Sequence, residues 1–82
     1  MVDKGDMEGL VRYLVTSLVD VPDKVSVMTR HDGTLTVYEV ELDPDDVGKV
    51  IGRKGRIIKA VRTVVRAAGG AEGAHADVEV LG

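Results

Sequence analysis

Apolar residues recur every three or four positions near the start of the chain, as they do along one face of an amphipathic helix. The repeating positions are Met7, Leu10, Val11, Leu14, Val15, Leu18 and Val19. We expect this helix to run from about Asp6 to Val19, with Asp6 and Glu8 near its start, where acids complement the helix dipole. It should end before Pro22, because the residue preceding a proline avoids the helical region.

A second pattern, in which apolar and polar residues alternate, begins at Val25 and predicts a β-hairpin. The first strand covers Val25 to Thr29, and a tight turn is expected at residues 31–34, where Asp-Gly tolerates positive φ angles. A second antiparallel strand follows over residues 35–42. Its apolar residues have mixed parity and are Leu35, Val37, Tyr38, Val40 and Leu42. Either a bulge or burial on both faces would account for this, so the register stays open.

The segment from Asp43 to Asp46 has the composition of a helix start. Asp is a preferred N-cap, and Pro is favoured at the first helical position. The carboxylates of Asp43, Asp45 and Asp46 also resemble a catalytic or metal-binding cluster, but a capped helix start accounts for all three. A short helix with one apolar stripe is predicted to follow and to end at Gly52. The stripe consists of Val47, Val50 and Ile51.

A longer helix is predicted to begin near Gly55 and to end at Gly69 and Gly70. Its apolar side consists of Ile57, Ile58, Val61, Val64, Val65 and Ala68. Four cations occupy the opposite side of the helical wheel, namely Arg56, Lys59, Arg62 and Arg66. Residues 77–80 then alternate as a last strand.

These elements predict one α+β domain with the order α-β-β-α-α-β. A three-stranded sheet with helices packed on one face would bury every apolar stripe. With 82 residues, the chain is long enough for one core and too short for two. We therefore expect a single domain over residues 1–82, with its core at about residues 7–81.

The net charge of −3 argues against a nucleic-acid ligand, but the charge is unevenly distributed. Seven basic residues and no acid lie between Val47 and Ala71, so this window carries +7 and the remainder carries −10. Such a local field can hold a polyanion while the rest of the surface repels it. A solvated helix face with chance clustering would explain the charge run alone.

The glycines inside this basic window make the anion-binding interpretation the stronger one. Gly52 and Gly55 join the two predicted helices with Arg53 and Lys54 between them. A glycine adopts backbone geometries closed to other residues and lets a ligand approach. The second helix directs its free N–H groups and positive dipole end toward the same place. We expect this loop to meet phosphodiester groups, with Arg56, Lys59 and Arg62 extending the positive track.

The sequence Val-Ile-Gly-Arg-Lys-Gly-Arg-Ile-Ile at residues 50–58 resembles the VIGxxGxxI signature of K-homology (KH) domains. The order of elements resembles the bacterial, type II form of that fold. Over nearly all of residues 7–81, the chain resembles the small bacterial KhpA-like (YlqC-like) RNA-binding proteins, most specifically from Leu42 to Ala68. The resemblance implies a single-stranded RNA ligand, whose backbone a GxxG loop clamps over about four nucleotides.

The resemblance also implies roles for individual residues. Gly52, Arg53, Lys54 and Gly55 would form the phosphate clamp, and Val47, Val50, Ile51 and Ile58 would lie between the core and the groove floor. The residues predicted to bind RNA are Gly52, Arg53, Lys54, Gly55, Arg56, Lys49, Lys59, Val50 and Ile51. Relatives are associated with a second KH-domain protein and with self-association, so a homodimer or such a heterodimer is expected as an implication of the resemblance.

Other functional classes find little support in the sequence. The chain has no cysteine, and His31 and His75 are isolated, so we expect no metal and no cofactor. Ser17 and Ser26 have no candidate base nearby, and the glycine loop is too short for a nucleotide-hydrolase phosphate loop, so an enzyme and a small-molecule substrate are not expected. Neither a signal peptide nor an apolar run of about 20 residues is present, which favours a cytoplasmic protein without membrane contact.

Two functions of different class remain open. The first is a sequence-tolerant RNA-binding module that acts as an RNA chaperone or post-transcriptional regulator. The second is a protein-interaction subunit that assembles with a KH-domain partner, RNA contact being secondary. A weaker third possibility is a DNA-binding helix-turn-helix, which would require the cations of the second helix to contact base edges. Tyr38 is expected in the core rather than as a stacking platform.

Overall fold

The computed structural model describes residues 6–71 and 73–81, in which three α-helices and three strands follow the predicted order, with three short 3₁₀ turns between them. The elements are α1 (Met7–Thr16), β1 (Ser26–Asp32), β2 (Leu35–Glu41), α2 (Val47–Ile51), α3 (Arg56–Ala71) and β3 (His75–Leu81). Residues 1–5, where no signal peptide is predicted, lie outside the described residues. Within the two described ranges, no helix is long and apolar enough to cross a bilayer.

The three strands form one mixed sheet in the order β1-β2-β3. β1 and β2 are antiparallel and joined by a tight turn, in which Gly33 has a φ of 61°, as the Asp-Gly signal predicts. β2 and β3 are parallel. The chain between them forms α2 and α3, which return it to the end of the sheet where β2 began. Helices cover one face of this sheet, and the hydrophobic core lies between the helices and the sheet. The fully buried apolar side chains of the core are Val11, Val15, Val40, Val50, Val65 and Val78.

The register of β2 is continuous, and burial on both faces explains its mixed parity. Every residue of β2 pairs one-to-one with β1 and β3, which leaves no bulge. Tyr38 belongs to the core under the helices, as predicted, whereas Val37 is buried outside that cluster. Val37 lies on the opposite face of the central strand, between Arg30 of β1 and Asp77 of β3. A central strand has neighbours on both sides, so its outward-facing side chains are partly covered.

Helix α1 is shorter than predicted, because it ends at Thr16 rather than at about Val19. The hydroxyl of Thr16 donates to the carbonyl of Arg12 over 2.8 Å, and that of Ser17 donates to Tyr13 over 2.7 Å. Ser and Thr hydroxyls that bond carbonyls in this way compete with helix continuation. Beyond the helix end, the apolar residues Leu18 and Val19 still pack against the core. The apolar spacing therefore predicts correctly which residues are buried, but it predicts a helix that is longer than the observed one.

Helix α3 is longer than predicted, because it continues through Gly69 and Gly70 to Ala71. Gly69 is buried, and a β-carbon on it would lie 2.9 Å from Cβ of Ala76 in β3. The glycine therefore permits close packing of helix and strand. Beyond the helix end, Gly73 has a φ of 75° and belongs to a Schellman motif. There Gly73 N–H donates to Gly70 over 3.0 Å and Ala74 N–H donates to Gly69 over 2.8 Å.

Candidate nucleic-acid interface

The loop at Gly52–Gly55 connects α2 to α3 through a tight turn. Gly52 N–H donates to the carbonyl of Gly48 over 2.8 Å, and Gly55 N–H donates to that of Gly52 over 3.1 Å. Gly52 has φ 78° and ψ 172°, a combination that is essentially restricted to glycine. Gly55 also has a positive φ, of 72°. The two glycines thus allow the chain to reverse direction within four residues and to enter α3 directly.

Lys54 is the one non-glycine residue with a positive φ in the described parts of the chain. Its φ of 57° and ψ of 24° lie in the left-handed region, where a side chain is disfavoured by about 1–2 kcal/mol. Arg53 and Lys54 are both exposed, at the tip of the loop. Strained backbone of this kind clusters at ligand-binding sites. Immediately after the loop, α3 begins at Arg56, and the first N–H groups of a helix have no partners within it.

The seven cations of the basic window fall into two groups. Lys49, Arg62 and Arg66 form ion pairs with carboxylates. The other four are exposed and, within residues 6–71 and 73–81, form no ion pair; they are Arg53, Lys54, Arg56 and Lys59. The positive field available to a ligand is therefore concentrated at the loop and the first turn of α3.

Lys49 is placed beside the loop but bonded to acids. Its ammonium contacts Asp20 and lies 3.1 Å from Oδ1 of Asp46. Hydrogen bonds to Asp20 and Asp46 raise the pKa of Lys49 above its ordinary value. Among the cations predicted to bind RNA, Lys49 alone pairs with acids of the described part of the chain.

Asp46 has a positioning role that the sequence does not reveal. Its carboxylate is buried and accepts hydrogen bonds from the backbone N–H groups of Asp20 (3.2 Å) and Val21 (3.0 Å). Burial by itself would raise the pKa of Asp46, but the hydrogen bonds from Val21, Asp20 and Lys49 outweigh it, and the pKa is lowered. Asp46 thus ties the segment after α1 to the start of α2. Asp43 is an N-cap as predicted and accepts from Asp45 N–H over 2.9 Å, but the segment that it caps is a 3₁₀ turn at Pro44–Asp46, and α2 begins only at Val47.

The apolar residues around the loop differ in their access to a ligand. Val50 is fully buried, with no exposed surface, so its side chain supports the loop from beneath rather than lining a groove. Ile58 is also buried, whereas Val47 and Ile51 are half-buried. Ile51 directly precedes Gly52 and is the predicted apolar contact residue that reaches the surface there. Among the described residues, no group of three or more His, Cys, Asp or Glu side chains is arranged to hold a metal ion.

A family model described as KhpA/KhpB, KH domain, matches residues 8–80. The chain belongs to the KhpA/KhpB family of KH domains. The mixed three-stranded sheet with helices on one face is accordingly the KH fold, in the α-β-β-α-α-β order predicted from the sequence. The KhpA-like resemblance, expected over nearly all of residues 7–81, is thereby confirmed.

Curated members of the KhpA/KhpB family are similar over most of the chain. RNA-binding protein KhpA of Streptomyces coelicolor is 50% identical over 64 residues, covering 78% of this chain and 81% of that protein. Its counterpart in Clostridium acetobutylicum is 41% identical over 75 residues, covering 92% and 100%. The Borreliella burgdorferi protein of that name is 35% identical over 81 residues, covering 99% of each.

Two solved structures show the same fold at low identity. Aquifex aeolicus Era bound to GDP·AlF4⁻ has a TM-score of 0.61 over 90% of this chain and 29% of Era. Era in complex with MgGDPNP and nucleotides 1506–1542 of 16S ribosomal RNA has a TM-score of 0.64 over 94% and 30%. Both are 19% identical to this chain, so they bear on its fold alone. The assignment of individual residues to RNA contact stays a prediction.

Proposed function

We propose that this KhpA/KhpB-family chain binds single-stranded RNA, with the Gly52–Gly55 loop holding the phosphate backbone. The observation that carries the proposal is the placement of Arg53 and Lys54, which are exposed and form no ion pair with any described residue, on a turn whose glycines have positive φ. Phosphates would meet these cations and the N–H groups at the start of α3. The relatives named as RNA-binding proteins support the same ligand.

The other predicted site residues take graded roles in this proposal. Arg56 and Lys59 extend the positive surface along α3, and Ile51 offers apolar contact to a base beside Gly52. Lys49 contributes less positive charge to the ligand, because its ammonium is paired with Asp46. Val50 contributes by supporting the loop, since it has no exposed surface. The proposal contains no catalytic step.

The same arrangement favours broad rather than sequence-specific recognition. Contacts to phosphates position a nucleic acid but carry no sequence information. The chain has only two aromatic residues. Tyr38 is buried, and the exposed Tyr13 lies on α1, outside the residues predicted to bind RNA. We propose on this basis that the chain acts on many cellular RNAs, as a chaperone or post-transcriptional regulator.

Fluorescence anisotropy with short single-stranded RNA pools tests the proposal. The wild type is compared with Arg53→Asp, Lys54→Asp and the double variant, at several salt concentrations. Lys24→Asp is the matched control, because Lys24 is an exposed cation outside the loop. The proposal expects salt-sensitive binding that the double variant loses and the control largely keeps. Since each phosphate contact contributes about 0.7 to the slope of log K against log salt, each single variant should lower that slope by roughly 0.7.

Two results would contradict the proposal. One is the absence of RNA binding by folded wild-type protein, and the other is equal binding by the wild type and the double variant. Single-stranded and duplex DNA are included as competitors. Preferential binding of duplex DNA would instead favour the helix-turn-helix alternative.

A second candidate function, assembly with another KH domain, is favoured by an exposed apolar surface. Tyr13 of α1 and Val64 of α3 are 62% and 45% exposed. They border an open groove of about 380 Å³ whose lining is mainly apolar and includes Leu14, Leu18 and Ile57. We propose that a second KH domain packs here, in the simplest case another copy of this chain.

Light scattering after size exclusion tests this assembly. Val64→Glu should convert a dimer to a monomer, whereas Thr63→Glu, on the neighbouring exposed position of α3, should leave it dimeric. A wild type that is monomeric at all concentrations would sink self-association through this surface. Because the surface involves neither Arg53 nor Lys54, the RNA and assembly proposals can fail independently.

A further inference from the structure

Three cations lie along one face of α3, beyond those of the Gly52–Gly55 loop. Lys59, Arg62 and Arg66 lie four, seven and eleven residues after Gly55. Because successive residues of a helix are about 100° apart, these positions share one face, which starts at the loop. A phosphate backbone leaving the loop along this face would meet Lys59 first and then the two arginines.

The two arginines are held by a single acid on the edge strand β3. Nη2 of Arg66 donates to Oδ2 of Asp77 over 3.0 Å, and Nε of Arg62 lies 3.6 Å from Oδ1 of the same carboxylate. Arg62 also donates to the carbonyl of Val78 over 3.0 Å, while Asp77 accepts from Val78 N–H over 2.8 Å. One carboxylate thus neutralises much of the charge on two of the three cations of this face.

The contacts of Asp77 are open to competition. The side chains of Arg66 and Asp77 are 59% and 30% exposed, and ion pairs with this exposure are weak. Both residues also line an open groove of about 580 Å³ between the end of α3 and the start of β3. A guanidinium binds carboxylate and phosphate through the same planar fork, so a phosphate can take the place of Asp77.

We propose that Asp77 is a negative determinant of RNA affinity, which holds Arg62 and Arg66 at the β3 edge until RNA phosphates replace it. This inference rests on the proposed RNA-binding function and deepens it. RNA would first engage the Gly52–Gly55 loop and would then exchange phosphate for carboxylate along α3. In the free protein, the same contacts satisfy both outward-facing backbone groups of Val78, which protects the edge strand from pairing with another chain.

The test is a double-mutant cycle in RNA binding. Asp77→Asn removes the charge while leaving an oxygen that can accept from Val78 N–H. Arg62→Gln/Arg66→Gln removes the two cations, and the triple variant combines all three changes. Glu79→Gln is the matched control, because Glu79 is an acid of the same strand that pairs with Arg30 at 3.3 Å rather than with α3. Anisotropy is measured against salt, with RNAs of about four and about eight nucleotides.

We expect Asp77→Asn to tighten binding of the longer RNA by roughly three- to tenfold. Its salt slope should steepen by at most about 1.4, the value for two phosphate contacts, because no carboxylate then competes with the phosphates for the two arginines. The four-nucleotide RNA, which only fills the loop, should gain much less, and Glu79→Gln should change either RNA little. Removing both arginines should cancel the gain, so that Arg62→Gln/Arg66→Gln weakens Asp77→Asn far more than it weakens the wild type.

Equal gains from Asp77→Asn and Glu79→Gln, or an unchanged salt slope, would overturn the inference, because Asp77 would then act only through net charge. Zero coupling energy between Asp77 and the two arginines would also overturn the inference about Asp77. If Arg53→Asp/Lys54→Asp nevertheless loses RNA binding, the proposed RNA-binding function still holds. No RNA binding by any folded variant would overturn both. Thermal unfolding of each variant separates a binding effect from a loss of fold.

Discussion

A β-carbon placed on Gly52 would lie 2.5 Å from Cγ1 of Ile57 and 2.8 Å from its Cβ. The second distance matters more, because the Cβ of Ile57 is fixed to the backbone of α3 and cannot rotate away. Gly52 also has φ 78° and ψ 172°, which residues with side chains avoid. The loop thus depends on this glycine twice, for the backbone angle and for the approach of α3.

Gly52→Ala is therefore expected to destabilise the protein by about 2–4 kcal/mol, through backbone strain and the clash with Ile57. The matched control is Gly48→Ala in α2, where an added β-carbon meets nothing within 4 Å. It should leave stability unchanged or raise it by up to about 1 kcal/mol. Chemical denaturation of the two variants checks this, and equal stabilities would show that the loop relaxes around the clash.

Replacing Gly69 or Gly70 of α3 by alanine should change the stability of the protein in opposite directions. A β-carbon on Gly69 would lie 2.9 Å from Ala76 Cβ, so Gly69→Ala should push α3 away from β3 and cost about 1–3 kcal/mol. Gly70 is exposed with nothing within 4 Å, and Gly70→Ala should stabilise the helix by about 0.5–1 kcal/mol. Thermal unfolding distinguishes them. Stabilisation by both would mean that Gly69 serves no packing purpose.

The two loop cations should differ in their effect on stability although each carries one charge. Lys54→Gly relieves a left-handed backbone, so we expect stability to stay level or rise by up to about 1 kcal/mol. Arg53 has no positive φ, and Arg53→Gly should lower stability by about 0.5–1 kcal/mol. Denaturant titrations of both variants test this. Destabilisation of equal size would show that Lys54 bears no strain in solution.

Asp46 is expected to make stability depend on pH in the acid range. Its pKa is lowered in the folded protein, so its contribution is fully present above the unfolded value of about 3.9 and is lost as pH falls through the folded value. Asp46→Asn should lower the melting temperature at neutral pH and flatten this acid limb. Asp45→Asn, an exposed neighbour, should do neither. An unchanged acid limb in Asp46→Asn would assign the pH dependence to other carboxylates.

Much of the fold and of the loop could be predicted from the sequence, because the deciding interactions are local. The Asp43 cap spans two residues, the turn at Gly33 needs one positive φ, and the helical faces follow from spacing alone. The Gly52–Gly55 loop was recognisable for the same reason, since its glycines and cations are contiguous. These features of sequence depend little on where the rest of the chain lies.

Only the tertiary structure decided how distant residues share charge and space. Asp46 meets N–H groups 25 and 26 residues away, and Asp77 meets Arg66 across 11 residues. Of the seven cations between Val47 and Ala71, three therefore pair with acids and four have no ion pair among the described residues, which composition cannot show. Gly69 had the spacing of a helix end and serves helix–strand packing instead, because its role is set by Ala76 on another element. Sequence pattern determines which residues can form each element, and the contacts between elements determine which of them remain available to a ligand.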